Sequence, residues 1–279
     1  MKQVSKLVLG TVQFGCQYGI NSAGRPSQDD VKAILDEASA NGITTLDTSC
    51  AYGDAEQVLG RTGRTGNFRI VSKYLRTPGT TFDGVFRQSL EQLGTDKVYG
   101  YLVHHFSDWA DDPSLWEKMQ ALREEGLAAH IGFSLYSPSE LEKLLEAGID
   151  FDIIQIPHNI FDRKFDPYLH PLKERGVEVH VRSTFLQGLF FKDRDTLPEK
   201  MLPLKKYLLE LDDYSKSSGI GISELALNYN AQNPDISGVL IGVDNVAQLK
   251  ANAASLSDRG IDLDINVKEQ ELLNPVNWK

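Results

Sequence analysis

Short runs rich in Val, Ile and Leu alternate with longer stretches of helical period from one end of the 279-residue chain to the other. The runs predict strands at Leu7 to Gly10, Thr45 to Thr48, Arg69 to Ser72, Tyr99 to Val103, Ala129 to Phe133, Ile153 to Ile156, Glu178 to Val181 and Gly238 to Ile241. No linker or low-complexity break interrupts the series, so one domain spanning 1–279 is expected. Helix starts are marked by chemistry. Ser137-Pro138-Ser139-Glu140 supplies an N-cap, a proline at the first helical position and a carboxylate that reaches back, and Asp112-Pro113 and Asp166-Pro167 repeat an Asp-then-Pro start. Strand ends recur at about 20 to 40 residues, which suits one right-handed crossover per interval. The last interval is longer: between Thr184 and Gly238 lie a loop, Gln187 to Asp195, and two helical stretches, Pro198 to Ser217 and Ser223 to Ala231. An insertion in such a loop usually serves binding.

Eight βα units predict an α/β fold of the (β/α)8 TIM barrel type, with parallel strands and the active site at the C-terminal face. The rival topology is a doubly wound open sheet, which carries a Gly-x-Gly-x-x-Gly turn after its first strand when it binds a dinucleotide. Here the first strand runs into Gly10-Thr11-Val12-Gln13-Phe14-Gly15, which lacks that spacing. Composition narrows the partners. A formal net charge of -10, with no cluster of Lys and Arg, argues against nucleic acid. No apolar run of roughly 18 residues exists, so no membrane span is expected. Two cysteines, Cys16 and Cys50, and the absence of a secretion-signal pattern point to a reducing cytoplasm. The expected assembly is a monomer or small homo-oligomer.

Polar residues that end apolar strands at the C-terminal face of a barrel point into its mouth. Three successive strands end that way: Leu46-Asp47-Thr48, Val71-Ser72-Lys73 and Leu102-Val103-His104. Tyr52 follows Asp47 in a loop short enough to fold back over the same mouth, so a carboxylate, an amine, a phenol and an imidazole converge. Singly, Asp47 reads as a cap, Lys73 as a surface amine, Tyr52 as a packed aromatic and His104 as a core histidine; jointly they read as a site. His105, next to His104 on a strand, is expected to face the other way, so no metal is predicted.

These residues also carry a family resemblance. The string Leu46-Asp47-Thr48-Ser49-Cys50-Ala51-Tyr52-Gly53, followed by Glu56 and Leu59-Gly60, resembles the strand-two signature of the aldo-keto reductases. Val71-Ser72-Lys73 and Tyr101-Leu102-Val103-His104 resemble that family's lysine and histidine strands. The likeness continues through Ile131-Gly132-Phe133-Ser134, Gln155, Arg182-Ser183 to Gly188, and Gly242 to Asn252. It implies an oxidoreductase in which a nicotinamide dinucleotide exchanges a hydride with a carbonyl carbon, sugar-like or short oxygenated substrates being candidates.

In that chemistry Tyr52 is the acid for the developing alkoxide. A free tyrosine titrates near ~10, and burial raises it further, so Lys73 is expected to draw the phenol down. Asp47 pairs with Lys73 and keeps it charged, and His104 orients the substrate oxygen. The resemblance implies a cofactor site of Gly10, Thr11, Asp47, Ser134, Gln155, Arg182, Ser183, Leu186, Gln187, Gly188, Gly242, Val243, Gln248 and Asn252, with Ser134 and Gln155 on the carboxamide. Gly242 to Asn252 begins the eighth helix, whose first amides can hold the adenosine-ribose phosphate.

Several positions depart from the family pattern. Leu135 stands where many members have an Asn, and Arg182 where many have an aromatic ring. Gly242 and Gln248, with Asp244 nearby, replace the cations that grip a 2′-phosphate. NADP is the expected cofactor, with NAD an alternative and discrimination between them weak; Lys250 turning inward would restore it. Loop aromatics Phe14, Tyr18, Phe106, Trp109 and Phe190 offer a substrate wall. Cys50 reads as a small buried thiol. Two rival readings are a dinucleotide-binding sensor or partner subunit on the same barrel, and a lyase or epimerase that needs no dinucleotide.

Overall fold

The computed structural model describes residues 4–20 and 24–278. Eight strands, β1 (Leu7–Gly10), β2 (Thr45–Asp47), β3 (Arg69–Tyr74), β4 (Val98–Val103), β5 (Ala128–Ser134), β6 (Ile153–Pro157), β7 (Glu178–Arg182) and β8 (Gly238–Gly242), pair in parallel and in chain order. Closure comes from β1 against β8, where Leu9 lies opposite Ile241 and Gly10 opposite Gly242. The architecture is the expected (β/α)8 barrel. Its strands are buried on both faces, which is why they read as apolar runs rather than as an alternation.

The helices are α1 (Val12–Gly15), α2 (Gln28–Ala40), α3 (Ala55–Arg61), α4 (Phe82–Leu93), α5 (Phe106–Asp111), α6 (Leu115–Glu124), α7 (Pro138–Glu146), α8 (Asp166–Glu174), α9 (Lys205–Ser218), α10 (Ile222–Ala231) and α11 (Val246–Ala254). In α4 the buried positions Phe82, Val85, Phe86, Ser89 and Leu93 form one stripe at spacings of three and four residues, facing the sheet. Each fully buried Phe or Leu in such a stripe contributes about 1.5–3 kcal/mol. Thr81 caps the amide of Gly84, and Gly94, at φ 65°, ends the helix in a left-handed turn. The reciprocal capping of Ser137 and Glu140 forms as predicted. At Asp112-Pro113 the helix starts later: Ser114 holds the cap position, and Asp112 accepts from its hydroxyl.

Two deviations from regularity shape the barrel. Gly132 lets β5 approach β6 closely, since a Cβ there would lie 1.7 Å from the Ile153 carbonyl oxygen. The long β7–β8 connection carries two 3-10 turns, at Leu186–Phe191 and Glu199–Leu204, before α9 and α10. These elements bury Leu189, Phe190, Leu204, Leu208 and Leu225 in a second apolar cluster beside the main core.

Candidate active site

Asp47 ends β2, Lys73 lies near the end of β3 and His104 follows β4, so three strand ends deliver them to one rim. Tyr52 arrives from the loop before α3. That loop lies hard against α1: a Cβ on Gly15 would sit 1.7 Å from the Tyr52 carbonyl oxygen, and Gly53 turns the chain at φ 61°. The two glycines set the loop's depth, and the phenol with it.

Lys73 is fully buried at 0% exposure and donates three hydrogen bonds: to Asp47 Oδ1 at 2.7 Å, to the Thr48 carbonyl at 2.8 Å and to Tyr52 Oη at 3.3 Å. An ammonium group has three N–H donors, and all are committed. The Tyr52 oxygen is therefore an acceptor from Lys73, and its own O–H is left to the cleft it lines. Asp47 is saturated too. Its Oδ2 accepts from Gln155 Nε2 at 2.7 Å, and its carbonyl accepts from both the amide and the hydroxyl of Thr11 at 3.0 Å.

Burial pushes the Tyr52 phenol well above its ordinary range and the Asp47 charge adds to the rise, while Arg182 opposes it. The expectation that Lys73 brings the phenol down is corrected in its net direction: burial outweighs a Lys73 that is itself lowered by burial and matched by Asp47, although the 3.3 Å contact places the ammonium to offset charge on the phenol oxygen. The phenol therefore stays protonated. His104 is pushed down to about 2, by burial first and then by Lys73, His105 and Arg182, so its imidazole is neutral.

A neutral imidazole has one donor nitrogen, and Ser49 is placed to bias which. Ser49 Oγ lies 3.0 Å from His104 Nδ1 and accepts from the Ala51 amide at 3.1 Å. When its one proton is given to Nδ1, the imidazole hydrogen sits on Nε2. Ser49→Ala removes this bias, and we expect kcat for any reaction that uses a hydrogen bond from Nε2 to fall about tenfold, with imidazole 15N shifts reporting mixed tautomers.

Tyr52 and His104 meet edge to face, with ring centroids 5.7 Å apart. His105 does not turn away. Its ring stacks on His104 at 4.8 Å and 12°, because β4 ends at Val103 and the alternation of a strand no longer applies. Among the described residues no group of three His, Cys, Asp or Glu is arranged to hold a metal, and no helix is long and apolar enough to cross a membrane.

From Tyr52 a cleft of about 380 Å³ runs toward the start of α11. Gly10, Thr11, Gln155, Arg182 and Ser183 line its inner part, and Gly242, Gln248 and Asn252 its far end. The loop after β7 closes one side with Gln187 and Gly188, at φ 52° and 92°. The non-glycine residues at positive φ, Ser183, Leu186 and Gln187, all fall in this loop among the described residues. Strain of this kind persists only where neighbours hold it, and Asn159 does so by donating to the Ser183 carbonyl at 3.0 Å.

Other expected site residues face elsewhere. Ser134, Leu186 and Val243 are buried and do not line the cleft. Val243, just past the end of β8, packs into the main core, and Leu186, in a left-handed backbone conformation, packs into the second cluster. Phe14 is on the inner side of α1 and wholly buried; its neighbours Val12 and Gln13 take the cleft face. Trp109 packs edge-on against Phe133 in the core, and Phe106 rests on Trp109 beneath Lys143. Phe190 packs on Phe161, which leaves Phe191, 49% exposed, on the cleft with Tyr18 and Phe185. Lys250 pairs with Glu37 on α2 instead of turning inward. Sequence reasoning missed Gln13 as a lining residue, and both Gln13 Oε1 and Asp244 Oδ1 are buried acceptors without a protein partner.

The Aldo/keto reductase family model matches residues 6–264. The L-galactose dehydrogenase of Arabidopsis thaliana is 26% identical over 97% of this chain and 92% of its own length. The L-glyceraldehyde 3-phosphate reductase of Escherichia coli strain K12 is 24% identical over 81% of this chain and 79% of its own. Among solved structures, an aldo-keto reductase from Bacillus halodurans in its holo form matches with a TM-score of 0.73 and 23% identity, covering 97% and 91% of the two chains. One from Klebsiella pneumoniae, in complex with NADP and acetate, matches with a TM-score of 0.66 and 20% identity over 97% and 90%.

Proposed function

The chain belongs to the aldo/keto reductase family, and on that premise we propose that it reduces an aldehyde or ketone to the alcohol with NADP(H) or NAD(H), Tyr52 donating the proton. One observation carries the reading: the three donors of Lys73 are spent on Asp47, Thr48 and Tyr52, which turns the phenolic proton toward the cleft beside neutral His104. The dinucleotide, when bound, supplies the hydride. The protein's own groups do the rest. His104 Nε2–H holds the carbonyl oxygen within reach of Tyr52, and Tyr52 protonates that oxygen as charge develops on it. Lys73 offsets the charge left on the phenolate, and Asp47, fixed by Thr11 and Gln155, keeps Lys73 in register.

The residues present suit a dinucleotide. Gln13 and Asp244 line the cleft and each keeps one buried oxygen without a protein partner, an acceptor of the kind a ribose hydroxyl satisfies, and Gln155, its Nε2 committed to Asp47, offers Oε1 to a carboxamide N–H. The test is fluorescence titration of the full chain with NADPH and NADH, followed by a panel of carbonyls. Saturable binding and carbonyl-dependent oxidation of the bound dinucleotide are expected. Tight binding with no turnover on any carbonyl overturns the reading in favour of a dinucleotide sensor.

Preference between the two dinucleotides follows from charge. Arg182 is the sole Lys or Arg lining the described cleft, and it lies away from Asp244. A 2′-phosphate placed near Asp244 meets a carboxylate and no cation. NADH is therefore expected to bind at least as tightly as NADPH. Asp244→Lys should shift the ratio of dissociation constants toward NADPH by about tenfold or more, the scale of one partly exposed charge reversal. An unchanged ratio removes Asp244 from that role.

A further inference from the structure

Arg25, Arg64, Arg123, Arg163 and Arg194 each pair with an aspartate. Arg182 forms no such pair among the described residues, and Asp47, which shares its cleft, has both oxygens occupied by Lys73 and Gln155. An arginine facing a cleft without a carboxylate is a cation kept for something that enters.

Its direction narrows what that is. Arg182 ends β7 opposite Pro157 of β6, yet its side chain reaches past β6 to the end of β5, where Nη2 donates to the Leu135 carbonyl at 3.2 Å. There the guanidinium lies over the Tyr136 ring, with Cζ 4.2 Å from the centroid. Asp244, Gln248 and α11 follow β8, on the opposite side of β7, so the guanidinium leans away from that end of the cleft. It leans toward the proton donor. Tyr136 stacks at 6.4 Å on His105, which stacks at 4.8 Å on His104. Guanidinium, phenol ring and two imidazoles make one continuous wall from β7 to β4, ending at the imidazole that faces Tyr52. The positive charge is felt there, since Arg182 lowers both the Tyr52 phenol and the His104 imidazole. A planar fork held by one stacking face and one N–H keeps its other N–H groups for a bidentate oxyanion.

We infer that Arg182 binds an anionic group on the substrate itself, so that the preferred carbonyls carry a carboxylate or a phosphate. This rests on the reductase reading above and deepens it. Matched substrate pairs test it in the full-length protein: butyraldehyde against succinic semialdehyde for the carboxylate, and glyceraldehyde against glyceraldehyde 3-phosphate for the phosphate. We expect kcat/KM to favour the charged member of at least one pair by tenfold or more, and the pair that shows it identifies the anion. Arg182→Met should collapse that preference at least tenfold, the charged member of the pair losing that much more kcat/KM than the neutral one, whatever loss the two share through Tyr52 or the dinucleotide. Arg182→Lys, which keeps the charge but loses the fork, should recover part of it.

Wild-type protein that reduces the neutral aldehydes as well as the charged ones overturns the inference while leaving the reductase reading intact. A variant that loses neutral and charged substrates equally also overturns it. Those outcomes would make Arg182 a group that acts on Tyr52 or on the cofactor. Failure with every aldehyde despite bound dinucleotide defeats both readings together.

Discussion

Tyr52→Phe is expected to lower kcat for carbonyl reduction by roughly a thousandfold while leaving the dinucleotide Kd within about twofold, because a positioned general acid contributes on the order of 10²–10⁴ in rate and little to cofactor affinity. The substitution removes one oxygen and the contact of 3.3 Å that it accepts from Lys73. Lys73 keeps Asp47 and Thr48, so the stability cost should stay near 1 kcal/mol. Stopped-flow or steady-state turnover beside a fluorescence titration separates the two effects, and near-normal turnover by the variant would take Tyr52 out of the reaction. The pH profile of the wild type is a companion readout. Tyr52 is held well above 10 and so stays protonated from pH 5 to 8, and His104, at about 2, stays neutral throughout that range. Reduction should therefore show no imidazole inflection between pH 5 and 8. Its first loss on the alkaline side should come from Lys73, whose ammonium is lowered by burial, so the charge that offsets the phenolate disappears as pH rises.

Much of this arrangement was legible before any coordinates. In a closed parallel barrel each strand is apolar on both faces, so an ionisable residue at a strand end is an anomaly with a fixed location, and Asp47, Lys73 and His104 were found that way. The loops were not legible in the same sense. Phe14, Trp109 and Phe190 were candidates for the substrate wall, but they fall in helical turns of only four to six residues, too short for a periodicity that tells which of two neighbouring side chains faces the cleft. Phe190 went to the core and Phe191 to the cleft across a single residue. His105 failed for a related reason: the alternation used to turn it away stops where β4 stops, one residue before His104. Ser49 gave no signal, because its role exists only once its loop places the hydroxyl 3.0 Å from the imidazole. The pairing of Asp47 with Lys73 was anticipated and forms at 2.7 Å, but the balance at Tyr52 was not legible, since only geometry shows how deeply the phenol and the amine are both buried.

That neutralised pair leads to the second large effect. Asp47→Ala leaves Lys73 at 0% exposure with no counter-charge, and removing one partner of a buried ion pair costs about 3–5 kcal/mol. The lysine then deprotonates, so the variant should be both unstable and inactive, a result that a purely structural pair would also produce. The double substitution Asp47→Asn with Lys73→Met distinguishes the two cases. It replaces both charges by neutral groups of similar size, keeps an amide next to Gln155 Nε2, and empties the site of uncompensated charge. Chemical denaturation should find its stability restored to within about 1–2 kcal/mol of wild type, because a buried pair often contributes little net stability over a well-packed neutral substitute. Turnover should stay at least a hundredfold down, since Tyr52 now has no ammonium to offset the phenolate and no donor to turn its hydroxyl toward the cleft. Recovery of activity along with stability would mean that the ammonium only props the fold, and that the proton handed to the substrate does not depend on it.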